Sequence, residues 1–351
     1  MAGTQSNSIA RVYDSLSGRN RIINGNCNVA QRGSVALTTG VSSYGGPDRF
    51  VAQNISAGGQ FTQSQGTITF GGLTKNAVLQ TVNTALTSLT TTNYWGGIQQ
   101  RIEGYNCFDM LGQPISISFI FNTNVTGTYS LALGDGTGSN SYVTTFTATA
   151  NTPAKYTFNI PTLPTTLGVS NTSSVGLFVT IGALNQGTYQ TSTLNSWQAS
   201  NFITSTSSTN WGSTINNFIS VTEVQLEEGN IATPFEREVY GITFSKCQRY
   251  FQAYSFASGQ AFLAGLNTST TDAYVFFPLE VPMRIAGTAT SVGAGAFNFN
   301  TGLGTIGLNS LTTTIFQVIL HFSTPSGLTA YQAGYAVAAS GTAVLFVNSE
   351  L

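Results

Sequence analysis

Ile115-Ser116-Ile117-Ser118-Phe119-Ile120-Phe121 sets Ile115, Ile117, Phe119 and Phe121 at every second position, with Ser116 and Ser118 between them. A period of two is the pleat of a β-strand with one apolar face. The pattern recurs at Tyr156, Phe158 and Ile160, at Val175, Leu177, Val179 and Ile181, and in the run from Phe218 that closes with Val224 and Leu226. Between these runs lie turn-forming clusters, such as Gly134-Asp135-Gly136-Thr137-Gly138 and the Ser/Thr/Asn tract from Ser192 to Asn217. Strands so spaced, with almost no helical periodicity between them, predict an antiparallel sandwich or jelly roll rather than alternating βαβ units.

One stretch reads as a helix, Ile242 to Tyr254, where Phe244, Cys247, Phe251 and Tyr254 follow at spacings of three, four and three. Alternation then resumes at Ala261 to Ala264, Ala273 to Leu279, Phe316 to Phe322 and Ala343 to Val347. The expected fold is therefore all-β: an N-terminal jelly-roll β-sandwich over 21–238, a short linker helix within 239–256, and a smaller C-terminal β-sandwich over 257–351. Residues 1–20 are left as an attachment segment. The helix is either a linker lying on its neighbour or an apolar stripe on an oligomer axis, since so short a helix needs tertiary burial.

Composition narrows the function. In 351 residues there are 12 basic and 13 acidic side chains, only 7% charged, with 38 Gly, 23 Phe and 14 Tyr. So many aromatics argue against disorder, and a formal charge of -1 without a Lys/Arg cluster argues against nucleic-acid binding. The apolar runs fall short of the roughly 18 residues a membrane span needs, so no membrane insertion is expected. The start, Met-Ala-Gly-Thr-Gln-Ser-Asn-Ser, has neither the basic nor the apolar part of a secretory signal. Cys27, Cys107 and Cys247 lie far apart and in odd number, giving no disulfide framework and no metal spacing, which fits folding in a reducing cytoplasm.

The charges cluster. Seven lie between Arg11 and Arg49 and eight between Glu223 and Arg249, whereas Met110 to Thr222 holds only Asp135 and Lys155. Two mixed-sign windows at the ends of one β unit predict that its terminal segments meet, with Arg32, Asp48 and Arg49 pairing with Glu223, Glu227 and Glu236. The alternative is a docking surface for a partner chain.

Catalytic material is scarce. His321 is the single histidine, and its strand offers no nucleophile or acidic orienter in an interpretable pattern, so it reads as a surface histidine. Paired carboxylates for glycoside hydrolysis are missing from the central region. Gly134 to Gly138 lacks the Lys-Ser/Thr of a phosphate cradle and reads as a hairpin loop. No enzyme activity, no cofactor and no metal cluster is expected. Tyr94, Trp95, Trp197 and Trp211 flank or sit in neutral polar loops, where their rings either stack on sugars or cover the core.

Arg21-Ile22-Ile23-Asn24-Gly25-Asn26-Cys27-Asn28-Val29-Ala30-Gln31-Arg32-Gly33, followed by Pro47-Asp48-Arg49-Phe50, resembles the "N-G-N-F-x-x-x-Q-R-G" and "A-D-R-W" opening of tailed-bacteriophage virion and tail-fibre proteins. Gln100-Arg101-Ile102-Glu103 and Leu111-Gly112-Gln113-Pro114-Ile115-Ser116-Ile117-Ser118-Phe119 follow, the latter like "L-x-G-K-x-V-T-x-S-F". The most specific match is Val224-Gln225-Leu226-Glu227-Glu228-Gly229-Asn230-Ile231-Ala232-Thr233-Pro234-Phe235-Glu236-Arg237, running on to Cys247-Gln248-Arg249-Tyr250-Phe251. Cys27 stands where the family has Phe, Phe50 where it has Trp, and Ile120-Phe121 where "W-A-K" is frequent.

The resemblance implies a jelly roll similar to carbohydrate-binding modules, a smaller β domain and a homotrimer in a phage particle. It also implies a structural calcium near the joined termini, at the backbone around Asn24 and the Glu223 carboxylate. The expected function is a virion structural protein, a trimeric tail or head fibre held to other virion proteins by residues 1–20 and presenting its distal domain to a host-surface glycan. The rival is an architectural head-decoration or tail component with no receptor. In the C-terminal unit Phe276, Phe316, Val318 and Phe322 are expected in the core or between subunits.

Overall fold

The computed structural model describes residues 18–38, 40–55, 58–89, 94–292, 297–301, 304–324, 328–339 and 343–351. It divides into two compact units, Met1–Thr243 with Leu351, and Phe244–Glu350. The expected attachment segment lies largely outside the described residues.

The first unit is a β-sandwich. One sheet has six strands in the order Val35–Leu37, Gln60–Phe70, Leu73–Thr84, Phe218–Glu228, Ile115–Thr123, Ala154–Ile160. The other has nine, with Phe50–Asn54, Ile98–Glu103, Val175–Ile181, Gly127–Asp135 and Ser141–Ala148 side by side at its centre. Neighbours within both are antiparallel, as the alternation predicts. Ile117, Phe119 and Phe121 meet Leu131, Leu133, Val179 and Ile181 between the sheets. Aromatic rings join the two layers, with Phe121 4.8 Å from Tyr129 and Phe119 5.4 Å from Phe146. These edge-to-face and tilted pairs each add about 0.5–1.5 kcal/mol beyond area burial.

The serine face of the decisive strand is buried too: Ser116 and Ser118 are 0% and 1% exposed. The segment after the last strand of this sheet covers it, and the Ser116 hydroxyl donates to the Gly229 carbonyl (2.6 Å). At Ser116 a small hydroxyl side chain lets backbone approach closely while keeping a polar partner, which a burial pattern read from the strand alone does not disclose.

The helix, Tyr240–Gln248, ends earlier than expected. Phe251 and Tyr254 lie instead in the strand Phe251–Phe256, paired with Ala343–Asn348. Aromatic residues suit a pleated, half-buried surface, and a ladder to a strand distant in sequence overrides a local helical period.

The second unit is all-β, as expected. Ala261–Asn267, Asp272–Pro278, Gln317–Ser323, Gly304–Thr313, Phe297–Thr301 and Ala333–Ala338 close into a barrel, beside a three-stranded sheet of Phe251–Phe256, Ala343–Asn348 and Thr288–Val292. Closure removes strand edges that so uncharged a chain has few side chains to protect. Val318 and Phe322 are fully buried with Val275, Phe297, Phe299 and Leu320. Phe276 and Phe316 are not in that core; they are 55% and 61% exposed on the isolated chain.

Candidate functional site

The aromatic residues singled out from sequence do not form one site. Trp95 and Trp211 are fully buried. Their rings lie 5.4 Å apart, Trp95 lies 5.0 Å from Phe61, and the Trp211 indole donates to the Gly182 carbonyl (2.8 Å). Gly59 and Gly212 make room for them, since a Cβ at either would sit 2.5 Å from Trp95. Both tryptophans are therefore core residues, and the sugar-stacking role is corrected. Trp197 is half-buried on an edge strand, its ring 5.7 Å from Tyr142. Tyr94 pairs through its backbone with Asn185, and its side chain lies outside the described residues.

The charged windows meet through different partners from those expected. Glu223 faces Lys75 (2.6 Å) and Arg237 (3.3 Å), Glu227 faces Arg19 (3.4 Å), and Arg32 lies 4.0 Å from Asp48 within its own window. Glu236 accepts the main-chain N–H groups of Gly18 and Asn20, while the Arg21 N–H donates to Leu226 O and Val224 N–H to Gly25 O. Arg49 is buried, and its guanidinium donates to the Arg101 carbonyl (2.8 Å). Glu223 sits at a bulge with φ of +50°, which turns it out of the ladder toward Lys75. Asp48 is 1% exposed, and burial pushes its carboxyl up despite the opposing Gln31 hydrogen bonds and the Arg32 charge.

These partners leave no fit for the calcium that the resemblance implies. The Glu223 carboxylate is matched by two cations, and the main-chain oxygens of Asn24 and Gly25 already accept from Cys27 N–H (2.8 Å) and Val224 N–H (3.0 Å). Among the described residues no group of three or more His, Cys, Asp or Glu can hold a metal ion.

His321 has the neighbours its strand did not advertise. Its Nε2 lies 2.8 Å from Asp272, its Nδ1 lies 3.3 Å from the Ser310 hydroxyl, and Tyr274 stacks on it at 4.6 Å. Tyr274 and Ser310 pair directly with His321 on the two adjacent barrel strands, and Asp272 lies two residues along from Tyr274. The Thr271 hydroxyl, His321 and Ser269 hold the Asp272 carboxyl down at about 2.

A concave site does exist, on the face of the nine-stranded sheet that points away from the core. On Ile98–Glu103, Ile98 and Ile102 face inward, so Gln99 and Arg101 face outward; on Val175–Ile181, Leu177 and Val179 face inward, so Phe178 and Thr180 face outward. Phe178 pairs across the ladder with Arg101 on one side and Gly134 on the other. A Cβ at Gly134 would stand 2.0 Å from the Phe178 ring, so the absent side chain is what lets the ring lie against the sheet.

Gln53, Gln99, Arg101, Phe178, Tyr189 and Asn201, with the hairpin loop Gly136-Thr137-Gly138, enclose about 310 Å³ there. This is at the low end for small-molecule sites. Gln99 donates to Thr180 (2.9 Å) and accepts from Arg101 Nε (3.3 Å), and Arg101 Nη1 donates to the main-chain oxygen of Leu351 (2.6 Å).

Two devices hold the rim. Asp135 accepts from the Thr137 hydroxyl (2.8 Å), the Ser139 N–H (2.9 Å), the Asn140 amide (2.7 Å) and the Gly168 N–H (3.1 Å). Burial alone would raise its carboxyl, but these donors together outweigh burial and hold it below the ordinary aspartate range. Opposite, the Ser/Thr/Asn tract is tied to the sheet by hydroxyls: Ser130 meets Ser208 (2.5 Å) and Thr204 (3.2 Å) and accepts from Ser205 N–H (2.9 Å). What reads as a long loop is a hydroxyl-fastened wall.

The sequence reading missed this cleft. Its signal was Phe178, an aromatic on the polar phase of a strand whose other phase is Val175, Leu177, Val179 and Ile181. An aromatic floor ringed by amides and hydroxyls suits a ligand with apolar ring faces and polar edges, which is the chemistry of a sugar.

No family model matches the sequence, and no curated protein matches it. Among solved structures the chain is similar to the one described as "CBM4 structure and function", at 12% identity and a TM-score of 0.31, over 59% of this chain and 98% of that one. It is similar also to the C-terminal family 22 carbohydrate binding module of Clostridium thermocellum Xyn10B, at 10% identity and 0.32, over 62% and 99%. A third is the enzymatically active domain of bacteriophage CBA120 tailspike protein 4, at 9% identity and 0.28, over 60% of this chain and 22% of that one. The β-sandwich itself is established by the sheet pairing described above.

Proposed function

We propose that the chain is a structural protein of a tailed-bacteriophage virion, a homotrimer attached through residues 1–20, whose sandwich unit binds host-surface glycan in the Phe178 cleft. The observation that carries the glycan part is the Phe178 ring laid over Gly134 and bordered by Gln53, Gln99, Asn201 and Tyr189. The virion part rests on the Gln-Leu-Glu-Glu-Gly to Pro-Phe-Glu-Arg resemblance; the cleft supports reading the glycan site on the sandwich in preference to a distal C-terminal domain. Folding in the host cytoplasm accords with three free, buried cysteines, of which Cys27 and Cys107 have thiols pushed up to about 12, chiefly by burial. Trimerisation multiplies a weak sugar contact into durable attachment. Purified chain is expected to bind host envelope polysaccharide and to block adsorption of the particle; failure to bind any host envelope fraction overturns the reading.

An architectural role without a receptor has one observation in its favour. The second unit exposes Leu266, Phe276, Phe316 and Tyr335 at 42–61%, an apolar surface suited to packing against sister chains. A particle lacking the protein that adsorbs normally but loses physical stability would favour this role.

A further inference from the structure

We propose that the second unit carries a hydrolytic site for carboxylic esters, with Ser310 as nucleophile, His321 as general base and Asp272 as the group that orients the imidazole. The inference rests on the barrel alone and stands or falls apart from the Phe178 cleft.

Strand register assembles the three. Ser310, His321 and Tyr274 form one row across neighbouring strands, and Asp272 is two residues from Tyr274 on the same face of the pleat. That face is the outer one, since Val318, Leu320 and Phe322 fill the inner phase of the His321 strand. Both imidazole nitrogens have partners: Nε2 is 2.8 Å from Asp272 Oδ1, and Nδ1 is 3.3 Å from Ser310 Oγ. An ionised carboxylate only accepts, so the ring proton sits on Nε2 and Nδ1 keeps the lone pair that can take the serine proton. Asp272 is kept ionised for this, its carboxyl held down at about 2 by Thr271, His321 and Ser269. The Thr271 and Ser269 hydroxyls take Oδ2, which leaves Oδ1 to the imidazole. Tyr274 stacks on the ring with the planes 7° apart and fixes its orientation.

An electrophile needs an oxyanion donor as well. The ladder shifts register between Leu308 and Ser310, and this irregularity brings Asn309 to the same face, its Nδ2 3.5 Å from His321 Nδ1. Ser310 and Asn309 are exposed, so the ester can be one carried by a larger molecule. The row lies two strands from Phe276 and apart from Phe316, in the turn before the His321 strand, the two residues offered to sister chains.

The chemistry closes without a further reagent than water. Ser310 Oγ bonds to the ester carbonyl carbon as its proton passes to His321 Nδ1, and Asp272 stabilises the imidazolium through Nε2–H. The C–O bond to the alcohol then breaks, and the alcohol leaves with the Nδ1 proton. Water attacks the acyl-serine, gives its proton to Nδ1, and the proton returns to Ser310 Oγ as the acid departs.

The test uses the full-length chain with p-nitrophenyl acetate, and a fluorophosphonate probe whose position is read by peptide mass. Hydrolysis is expected to be at least about 100-fold faster than in Ser310→Ala, with the probe on Ser310 and labelling lost in His321→Gln. Asp272→Asn should lower kcat at least about 100-fold with KM unchanged, as loss of an orienting group does. Equal hydrolysis by the unaltered chain and Ser310→Ala, in which His321 remains, overturns the proposal, and so does a probe found elsewhere or not at all. Should Asp272→Asn fail to fold, Ser310→Ala and the label decide it alone.

Discussion

The carboxylate of Glu236 accepts two main-chain N–H groups from the start of the sandwich, Gly18 at 2.6 Å and Asn20 at 2.8 Å. The Asn20 side chain in turn accepts from Leu226 N–H and donates to Val224 O, so both ends of the unit are stitched by one small network. Replacing Glu236 by Ala is expected to cost about 1.5 kcal/mol, the low end for hydrogen bonds to a charged group, since this one is partly exposed. Urea unfolding reports the loss, and hydrogen exchange should quicken at Asn20 to Ile22. Unchanged exchange there would show that the clamp is ornamental.

Trp211→Ala should destabilise the sandwich by about 3–5 kcal/mol, as large aromatic-to-Ala changes in a packed core do. Gly212→Ala should also destabilise, since its Cβ would collide with Trp95 at 2.5 Å. Neither change is expected to weaken glycan affinity in protein that remains folded at low temperature. A selective loss of affinity in Trp211→Ala would return that residue to a binding role.

Asp272 gives the barrel an acid-sensitive strand contact. Its folded carboxyl is lowered from 3.8 to about 2, first by the Thr271 hydroxyl and then by His321 and Ser269. Because the folded value is the lower one, the stabilisation is fully present above the unfolded value and is lost as pH falls from about 4 towards about 2. Asp135 has the same sign at the cleft rim. Acid titration followed by tryptophan-independent tyrosine fluorescence should show the barrel losing stability over that window, and Asp272→Asn should flatten the response. A barrel whose midpoint does not move between pH 5 and pH 2.5 would contradict this assignment.

Gly134→Ala places a methyl where the Phe178 ring lies. The ring must swing off the sheet, so glycan affinity should fall at least about tenfold with a smaller loss of stability. Calorimetric titration together with a thermal melt separates the two effects.

How far the sequence reaches can be judged residue by residue. Alternation at Ile115 to Phe121 and its echoes foretold an antiparallel sandwich because the pleat repeats locally. Phe251 and Tyr254 misled, because helix and strand periods overlap in so short a run and the choice was made by a distant partner, Ala343–Asn348. Trp95 and Trp211 misled for a related reason: flanking Gly, Ser and Thr looked like loop, whereas Gly59 and Gly212 are spaces cut for the rings. The charge windows correctly located where the ends of the sandwich join, but a main-chain N–H carries no sequence signal, so Gly18 and Asn20 were invisible as partners of Glu236. The cleft was hidden because Arg101, Phe178 and Gly134 become neighbours only through strand register.

Sister chains are expected to cover the exposed apolar residues of the barrel. Sedimentation at micromolar concentration should give a trimer, and Phe276→Asp or Phe316→Asp should shift it towards monomer. A soluble monomer in the unaltered protein would refute the assembly.

The most direct test of glycan binding in the cleft is amide hydrogen exchange on the full chain with and without the host envelope polysaccharide. Protection is expected at Gly134 to Asn140, at Gly176 to Thr180 and around Gln198 to Ile203, and it should vanish in Phe178→Ala. Protection confined to other surfaces, or none in the presence of polysaccharide that demonstrably binds, would contradict the account.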